Sequence, residues 1–284
     1  MKNKSFNLVL GTAQLDQNYS LSKRGLNESN LKKIINLSQK KNNFFIDTAL
    51  GYKNSEKILS KINLKKFNII TKIENSKKNL IEELIKSKKK LKINKFYGVL
   101  FHNEKELLSK SPKEFLKLVK SLKDNNITNK VGVSVYTLKS LNLIIKKFNL
   151  DLIQVPANIF DKRFLNQKLL QKLKQKKIRI FVRSVFLKGI LVNKKFRNEN
   201  KGFVKYKKEF DAYEKWLDKE NIINRKFFCI NFILANKINN IIIGFDNFKE
   251  YKEISNYKNE KYAYPPNFTK YQSDKNKLLR PDLW

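Results

Sequence analysis

The sequence predicts an α/β protein that folds as a single-domain (β/α)8 TIM barrel. Three observations favour this fold class. The chain has 284 residues, and a barrel of this kind needs ~250. Short apolar runs alternate with longer segments of helical periodicity, which is typical of repeated strand–helix units. The apolar runs are nearly continuous, as expected for parallel strands that are buried on both faces.

The strands are predicted from eight apolar runs. An open, doubly wound sheet is the alternative fold, but it needs a glycine-rich phosphate loop after its first strand. The first strand here ends in Gly11-Thr12-Ala13-Gln14, and neither GxGxxG nor GxxxxGK[ST] occurs in the chain. The barrel is therefore favoured. The predicted strands are Asn7–Gly11, Phe44–Asp47, Asn68–Lys72, Phe96–His102, Lys130–Ser134, Leu152–Pro156, Ile178–Ser184 and Ile241–Gly244.

The segments between these strands carry the start and stop signals of helices. Thr137–Phe148 has apolar residues at helical spacing, and its threonine can cap the first turn. Ser111-Pro112 opens another helix, because proline suits the first helical position, and Asp124-Asn125-Asn126 ends it. Further helices are predicted over Ser29–Lys41, Ser76–Leu91 and Leu165–Lys176.

The domain organisation is predicted to be one barrel over residues 1–257 and a polar tail over 258–284, which wraps the surface or is partly disordered. The single cysteine, Cys229, excludes a disulfide framework and a cysteine-rich zinc site, and no metal is expected. No apolar run approaches the ~20 residues that span a bilayer. We therefore expect a cytoplasmic protein, monomeric or weakly oligomeric, without a membrane partner.

The charge balance is strongly basic, with 62 Lys and Arg against 25 Asp and Glu and a net charge of +37. A nucleic-acid-binding protein is one interpretation of this charge. A lysine-rich composition is the other, and it is favoured because only seven of the basic residues are arginine and the lysines are spread along the chain. No specific nucleic-acid partner is predicted, although polyanions should bind loosely at low salt.

Four reactive side chains fall at or just after the ends of consecutive predicted strands. Asp47, Lys72 and His102 stand at the ends of the second, third and fourth strands, and Tyr52 follows the second. In a barrel the carboxyl ends of the strands meet at one rim, where the chemistry takes place. Each residue alone has an ordinary structural explanation, such as a helix cap or a packed aromatic. Their occurrence together, in chain order, predicts a catalytic group.

The four side chains have complementary acid–base chemistry. A phenol has a pKa of ~10, and a nearby ammonium lowers it. Lys72 can supply that charge, and Asp47 can hold Lys72 in place. His102 can orient a substrate oxygen, so that Tyr52 acts as the general acid toward a carbonyl receiving hydride. Because no side chain donates hydride, a nicotinamide cofactor is required, and the predicted reaction reduces an aldehyde or ketone to an alcohol.

These residues resemble the aldo-keto reductase family from about Phe6 to Ile254. The opening Gly-Thr-Ala-Gln is similar to a branch often found beside polysaccharide and sugar-nucleotide genes, which makes a sugar a candidate substrate. The matching segments are Gly11-Thr12-Ala13-Gln14, Phe45-Ile46-Asp47-Thr48-Ala49 with Tyr52, Thr71-Lys72, Leu100-Phe101-His102, Gly132-Val133-Ser134, Gln154, Arg183-Ser184 through Gly189-Ile190-Leu191, and Ile243-Gly244.

The resemblance implies a TIM barrel that binds NADP(H) in extended form at the rim. Ser134 and Gln154 would hydrogen-bond the nicotinamide carboxamide, and Ser184–Leu191 would pass over the pyrophosphate. The loop after Gly244 would hold the adenosine 2′-phosphate at a helix N-terminus. The expected catalytic tetrad is Asp47, Tyr52, Lys72 and His102, and the expected cofactor-binding residues are Thr12, Ser134, Gln154, Arg183, Ser184, Gly244 and Asn247.

Three departures from the family pattern bear on this expectation. Val135 replaces a common asparagine, and Arg183 stands where an aromatic ring often stacks on the nicotinamide. Asp246 would repel a 2′-phosphate and could instead accept a hydrogen bond from a ribose hydroxyl. Lys249 or Lys252 could offset its charge. Both NADP(H) and NAD(H) are therefore candidate cofactors. The alternative function is a non-catalytic, cofactor-binding barrel with a regulatory role. The basic segment 193–206 suits an acidic substrate or is an ordinary lysine-rich loop.

Overall fold

Eight parallel strands form one closed barrel in the computed structural model, which describes residues 6–15, 26–74, 79–199, 201–257, 260–269 and 272–280. The strands follow one another around the barrel in chain order, and the last pairs with the first. They are β1 (Asn7–Gly11), β2 (Phe45–Asp47), β3 (Asn68–Ile73), β4 (Gly98–Phe101), β5 (Val131–Ser134), β6 (Leu152–Pro156), β7 (Arg179–Arg183) and β8 (Asn240–Gly244).

This topology confirms the predicted fold class, with differences at the strand ends. β4 is shorter than the predicted Phe96–His102, because its pairing with β3 begins at Gly98 and ends at Phe101. His102 still continues the ladder by donating its N–H to the carbonyl of Ile73 at 2.9 Å. β7 stops before the predicted Ser184, whose left-handed φ of 60° turns the chain out of the strand.

Helices surround the barrel, and side-chain caps set several of their N-termini. Ser111 and Glu114 form a capping box, and Thr137 accepts from the N–H of Ser140. The predicted start of the helix 76–91 lies outside the described residues. The helices are α1 (Glu28–Lys40), α2 (Lys53–Leu59), α3 (Leu80–Lys90), α4 (Glu104–Leu108), α5 (Pro112–Asp124), α6 (Leu138–Lys147), α7 (Gln167–Gln175), α8 (Lys194–Glu199), α9 (Lys207–Lys219), α10 (Arg225–Ala235) and α11 (Phe248–Ser255).

The connection from β7 to β8 carries three helices, α8, α9 and α10, instead of one. The basic segment 193–206 is not a plain loop, because it contains α8 and a 3-10 helix over Lys201–Tyr206. Arg197 and Arg225 anchor this insertion through ion pairs to Glu214, at 2.9 and 2.8 Å. The insertion therefore forms an ordered wall beside the carboxyl ends of the strands.

The barrel interior is filled by side chains from six strands and needs two glycines. A Cβ at Gly132 would lie 2.1 Å from the carbonyl oxygen of Leu152, and one at Gly98 would lie 2.2 Å from Leu152 Cδ1. These positions let β6 pack closely against its neighbours. The interior cluster consists of Val9, Ile70, Leu100, Leu152, Phe181 and Ile242.

Arg179 closes the amino-terminal end of the barrel. Its guanidinium carbon lies 4.9 Å from the ring centre of Phe45 and 5.4 Å from that of Phe181. It donates to the side-chain oxygen of Asn240 at 2.7 Å and to the hydroxyl of Tyr97 at 2.5 Å. Each polar group of this plug is paired, so the floor of the barrel is packed.

The described parts of the polar tail pack onto the barrel. Leu278 and Leu279 are fully buried, and the carbonyl of Leu279 accepts from buried Arg163 at 3.0 Å. Asp274 pairs with Arg163 at 2.7 Å and accepts from the backbone N–H of Leu138 at the start of α6. This tail therefore contributes to the hydrophobic core. Across the described ranges, no helix is both long and apolar enough to cross a membrane.

Candidate active site

A cleft of about 1160 Å³ opens at the carboxyl ends of the strands. Asp47, Tyr52, Lys72 and His102 all line it, as do several residues of the insertion after β7. The rim of the barrel thus brings together the four side chains that the sequence singled out, at the face where barrels place their chemistry.

Lys72 is the buried centre of this group and is only 3% exposed. Its Nζ donates to Asp47 Oδ2 at 2.6 Å and to the carbonyl of Thr48 at 3.0 Å. The other oxygen of Asp47 accepts from Gln154 Nε2 at 2.5 Å. Burial lowers the pKa of Lys72 from its ordinary value, and the charge of Asp47 opposes that shift. The pair fixes one ammonium beneath the cleft.

Tyr52 stands over this ammonium. A turn places it there, since its N–H donates to the carbonyl of Ala49 at 3.0 Å before α2 begins. Lys72 Nζ lies 5.7 Å from the centre of its ring. The ring of His102 meets it edge-on, with the two centres 5.9 Å apart. The half-buried phenol is therefore held between a cation and an imidazole, at the mouth of the site.

His102 is uncharged at neutral pH. Burial, with the charges of Lys72 and Arg183 acting in the same direction, lowers its pKa to about 4. Its Nδ1 lies 3.5 Å from Glu74 Oε1, which is long for a hydrogen bond. Glu74 was not predicted from the sequence. Its position two residues after Lys72 gave only a weak signal, because Glu74 lies beyond the end of β3, where the alternation of strand side chains no longer holds.

Gln154 and Ser134 form the floor on the other side of Asp47, and both are buried. Gln154 Oε1 has no hydrogen-bond partner within the described part of the chain. A buried, unpaired acceptor is costly unless a ligand satisfies it. Because both residues line the cleft, the amide oxygen and the Ser134 hydroxyl fit the N–H and C=O groups of a carboxamide such as that of nicotinamide.

Arg183 and the segment that follows it close one side of the cleft. The guanidinium carbon of Arg183 lies 3.9 Å from the ring centre of Tyr136, a support that the sequence did not predict. Positive φ angles then occur at Ser184 (60°), Leu187 (47°), Lys188 (54°) and Gly189 (94°). Such strained backbone persists where the surrounding structure holds it, often at binding sites. Arg183, Ser184, Lys188 and Gly189 all line the cleft.

The end of β8, the loop after it and the first turn of α11 contribute Gly244, Asp246 and Glu250 to the cleft, in that order. A Cβ at Gly244 would lie within 2.0 Å of the amide of Gln14, so only glycine lets that side chain cover this strand end. Glu250 Oε2 accepts from the N–H of Asp246 at 3.1 Å. Two carboxyl-bearing residues therefore stand where the resemblance expects a phosphate.

Thr12 and Asn247 lie behind the cleft wall. Thr12 is 1% exposed, and its hydroxyl donates to the carbonyl of Asp47 at 3.0 Å. Asn247 caps α11 by accepting from the N–H of Glu250 at 3.0 Å. Neither lines the cavity, so each acts on the site through the strand or helix that it holds. Among the described residues, no cluster of three His, Cys, Asp or Glu side chains could hold a metal.

Comparison with known proteins agrees with this geometry. Residues 7–263 match the aldo/keto reductase family. The aldo-keto reductase AKR11C1 from Bacillus halodurans in its holo form superposes with a TM-score of 0.69 at 16% identity, covering 90% of both chains. The glycerol dehydrogenase AKR11B4 from Gluconobacter oxydans gives 0.64 at 18% identity, covering 88% of this chain and 86% of that one.

A third structure, MGS-M4, an aldo-keto reductase enzyme from a Medee basin deep-sea metagenome library, gives a TM-score of 0.59 at 16% identity. It covers 96% of this chain and 89% of its own. No curated protein matches the chain in sequence. At these identities the structural likenesses show the fold, and the family match extends over most of the chain.

Proposed function

The chain belongs to the aldo/keto reductase family and is an NAD(P)H-dependent oxidoreductase, and we propose that it reduces an aldehyde or ketone with Tyr52 as the general acid. One observation carries the proposal: the buried Lys72–Asp47 pair, with an Nζ to Oδ2 distance of 2.6 Å, lies under the Tyr52 ring beside an uncharged His102. A sugar carbonyl is one candidate substrate, because the Gly11–Gln14 segment is similar to the branch found beside sugar-nucleotide genes.

The proposed reaction converts a carbonyl group to an alcohol. A nicotinamide cofactor bound in this cleft would supply the hydride, and with it two electrons, to the carbonyl carbon. Tyr52 gives the proton to the carbonyl oxygen, and Lys72 stabilises the phenolate that remains. The uncharged imidazole of His102 donates its single N–H to the same oxygen and orients it. Solvent then restores the proton to Tyr52 at the open side of the cleft.

The cofactor residues are proposed from the geometry and the resemblance together. Ser134 and Gln154 would hold the carboxamide, because the buried Gln154 Oε1 has no partner among the described residues. Ser184 and Gly244 line the same cleft and would contact the cofactor there. Thr12 and Asn247 would support the site indirectly, through the carbonyl of Asp47 and the first turn of α11.

The choice between NADP(H) and NAD(H) depends on the first turn of α11. The resemblance implies NADP(H), which needs free N–H groups there for a 2′-phosphate. Two N–H groups of this turn, and that of Asp246 just before it, already have acceptors from this chain, which favours NAD(H). Parallel fluorescence titrations with NADPH and NADH measure the preference directly. The occupied donors are Asp246 N with Glu250 Oε2, Phe248 N with Asn30 Oδ1, and Glu250 N with Asn247 Oδ1.

The Tyr52→Phe variant tests the proposed acid. Removing the phenol proton should lower kcat by about 10²- to 10⁴-fold, whereas the Kd for NADPH or NADH should stay within about twofold, because the ring is retained. Tyr264→Phe is the matched control, since Tyr264 is exposed and does not line the cleft. The measurements are steady-state reduction of an aldehyde panel and cofactor fluorescence quenching.

Two outcomes would contradict the proposal. Full activity of Tyr52→Phe would show that another group gives the proton. Tight cofactor binding by the wild-type protein, with no carbonyl compound of a broad panel reduced, would instead support the non-catalytic, regulatory barrel.

A further inference from the structure

We propose that Arg183 binds an anionic group of the substrate, a carboxylate or a phosphate, so that the enzyme acts on carbonyl compounds that carry such a group. This inference rests on the proposed function, because it names the substrate class of the same cleft. Arg183 ends β7 and lines the cavity with Tyr52, Lys72 and His102.

The guanidinium is held in one orientation by its neighbours. Its plane stacks on Tyr136 at 3.9 Å, and Nη2 donates to the carbonyl of Val135 at 3.1 Å. Nε and Nη1 make longer contacts, both 3.4 Å, with the hydroxyls of Ser134 and Ser184. Arginine has five N–H donors, so one N–H on each terminal nitrogen stays available. Such a pair of donors suits two oxygens of one oxyanion.

Tyr136, whose ring lies against the Arg183 guanidinium, is itself held in place by a buried carboxylate. The carboxylate of buried Glu104 accepts from the backbone N–H of Tyr136, and it also accepts from the Thr137 hydroxyl at 2.8 Å. The ring on which Arg183 stacks is therefore fixed from behind. A prepositioned fork binds an anion at a lower entropic cost than a flexible lysine.

Within the described residues, Arg183 has no ion pair with a carboxylate, which distinguishes it from three other buried or half-buried arginines, among them Arg225 in the cleft lining. Arg163 pairs with Asp161 at 2.8 Å, and Arg197 and Arg225 pair with Glu214. The carboxylate of Asp47, which lines the same cleft, already accepts hydrogen bonds from Lys72 and Gln154.

A half-buried cation without a counterion costs free energy unless a ligand supplies the anion. Asp47 cannot supply it, because Lys72 holds that carboxylate. The charge of Arg183 also reaches the reaction centre, since it lowers the pKa of both Lys72 and His102. An anion on Arg183 would therefore sit close to the carbonyl.

The wall opposite adds to this preference. Lys194 and Lys195, at the start of α8, line the same cleft with exposed side chains. Their charges can attract an anionic substrate to the mouth of the cleft. The directed hydrogen bonds to the anion come from Arg183. Segment 193–206 was one candidate site for an acidic substrate, and these two of its lysines line the same cleft as Arg183.

The test compares matched substrate pairs in wild-type protein and in Arg183→Met. Succinic semialdehyde against butanal probes a carboxylate, and glyceraldehyde 3-phosphate against glyceraldehyde probes a phosphate. We expect the wild type to prefer the anionic member of at least one pair by about tenfold or more in kcat/KM. Arg183→Met should lower kcat/KM for that member about ten- to a hundredfold more than for the neutral member, as for a charged hydrogen bond.

Two further variants separate the fork from the charge. Arg183→Lys keeps the charge without the two-pronged donor set, and it should restore only part of the preference. Lys195→Met removes an exposed cleft charge and should change the anionic-to-neutral ratio by less than about threefold. Melting temperatures of all variants check that each one is folded.

A binding measurement without turnover separates this inference from the proposed function. Calorimetric titration of malonate and of inorganic phosphate, with and without NADPH, should show binding by the wild type that weakens at least about tenfold in Arg183→Met. The probe that shows this loss identifies the anion as carboxylate or phosphate. If no aldehyde is reduced but this difference remains, the reductase proposal fails and the anion site stands.

Three outcomes would overturn the inference while leaving the reductase proposal intact. The first is equal kcat/KM for charged and neutral members in wild type and Arg183→Met. The second is equal binding of malonate and phosphate by both proteins. The third is a higher Kd for NADPH in Arg183→Met with no change in substrate discrimination, which would assign the guanidinium to the cofactor.

Discussion

At the scale of single residues, the charge states at the mouth of the cleft follow from burial and from nearby charges. Lys72 has lost nearly all its contact with water, and Asp47 at 2.6 Å compensates for that loss. His102 has no comparable partner, because the Glu74 contact is long and that side chain is 46% exposed. One of the two bases therefore carries a paired charge, and the other is neutral.

The neutral His102 predicts a pH dependence of stability. Its pKa is about 4 in the folded protein and 6.5 unfolded, so between those values the unfolded chain binds more protons. Stability is therefore lost as the pH falls from about 6.5 toward 4. At pH 4.5 this costs about 2–3 kcal/mol relative to pH 7. Urea unfolding of wild type and His102→Gln at both pH values measures it.

The comparison is clean because His102 is the only histidine. The carboxylates titrate in both proteins, so they cancel in the difference between them. A wild-type protein that lost no more stability on acidification than His102→Gln would show that the imidazole is not buried in its neutral form.

The positions of residues relative to the strand ends decide which site residues can be predicted from the sequence. Asp47, Lys72 and His102 were found because strand ends of a barrel converge on one rim. The stacking of Arg183 on Tyr136 depends on side-chain directions beyond the strand ends, where the two-residue alternation no longer applies. Spacing along the chain therefore could not predict it.

At the scale of elements, the strands were predictable because a strand buried on both faces must be apolar along its length. The helices of the insertion were harder, because α8 is short and basic and is held by Arg197 and Glu214 rather than by an apolar stripe. The tail has a similar explanation. Its two buried leucines, 278 and 279, form no periodic pattern, and a tertiary contact with Arg163 fixes their place.

The Gly132→Ala variant tests the close approach of β5 and β6. The added methyl would lie 2.1 Å from the carbonyl oxygen of Leu152, and backbone on both sides prevents easy relief. We expect a loss of about 3 kcal/mol in the free energy of unfolding. Gly51→Ala is the control, since its methyl would meet only the flexible end of Glu74. A loss below about 1 kcal/mol for Gly132→Ala would mean that the strands separate readily.

At the scale of the whole molecule, the tail and the barrel are joined by one buried cation. Arg163 contacts Asp161, Asp274 and the carbonyl of Leu279. Removing one member of such a network leaves the others buried without a partner.

We therefore expect Arg163→Met to lower the free energy of unfolding by about 3–5 kcal/mol, and to speed proteolysis of the tail. Asp211→Asn, which breaks the exposed pair between Asp211 and Lys207, should leave the free energy of unfolding nearly unchanged, because exposed ion pairs contribute little to stability. Denaturant unfolding and limited trypsin digestion measure both effects. An Arg163→Met protein whose tail resisted trypsin as the wild type does would contradict this account of its attachment.

The net charge of +37 also acts at this scale. We expect the protein to be retained on heparin at low salt and released by about 0.2 M NaCl, because retention by scattered lysines comes from counterion release. Retention that persisted at that salt concentration, with a preference among nucleic-acid sequences, would instead support a dedicated nucleic-acid site.

The plug formed by Arg179 has a consequence for the order of events in catalysis. Because the barrel floor is packed, both ligands of the proposed reaction would enter from the same open side of the cleft, and the buried Gln154 and Ser134 lie beneath it. Whichever ligand reaches them has to arrive first and depart last. Under the proposed function that ligand is the nicotinamide, so the oxidised cofactor would compete with the reduced one, while the alcohol would not compete with it.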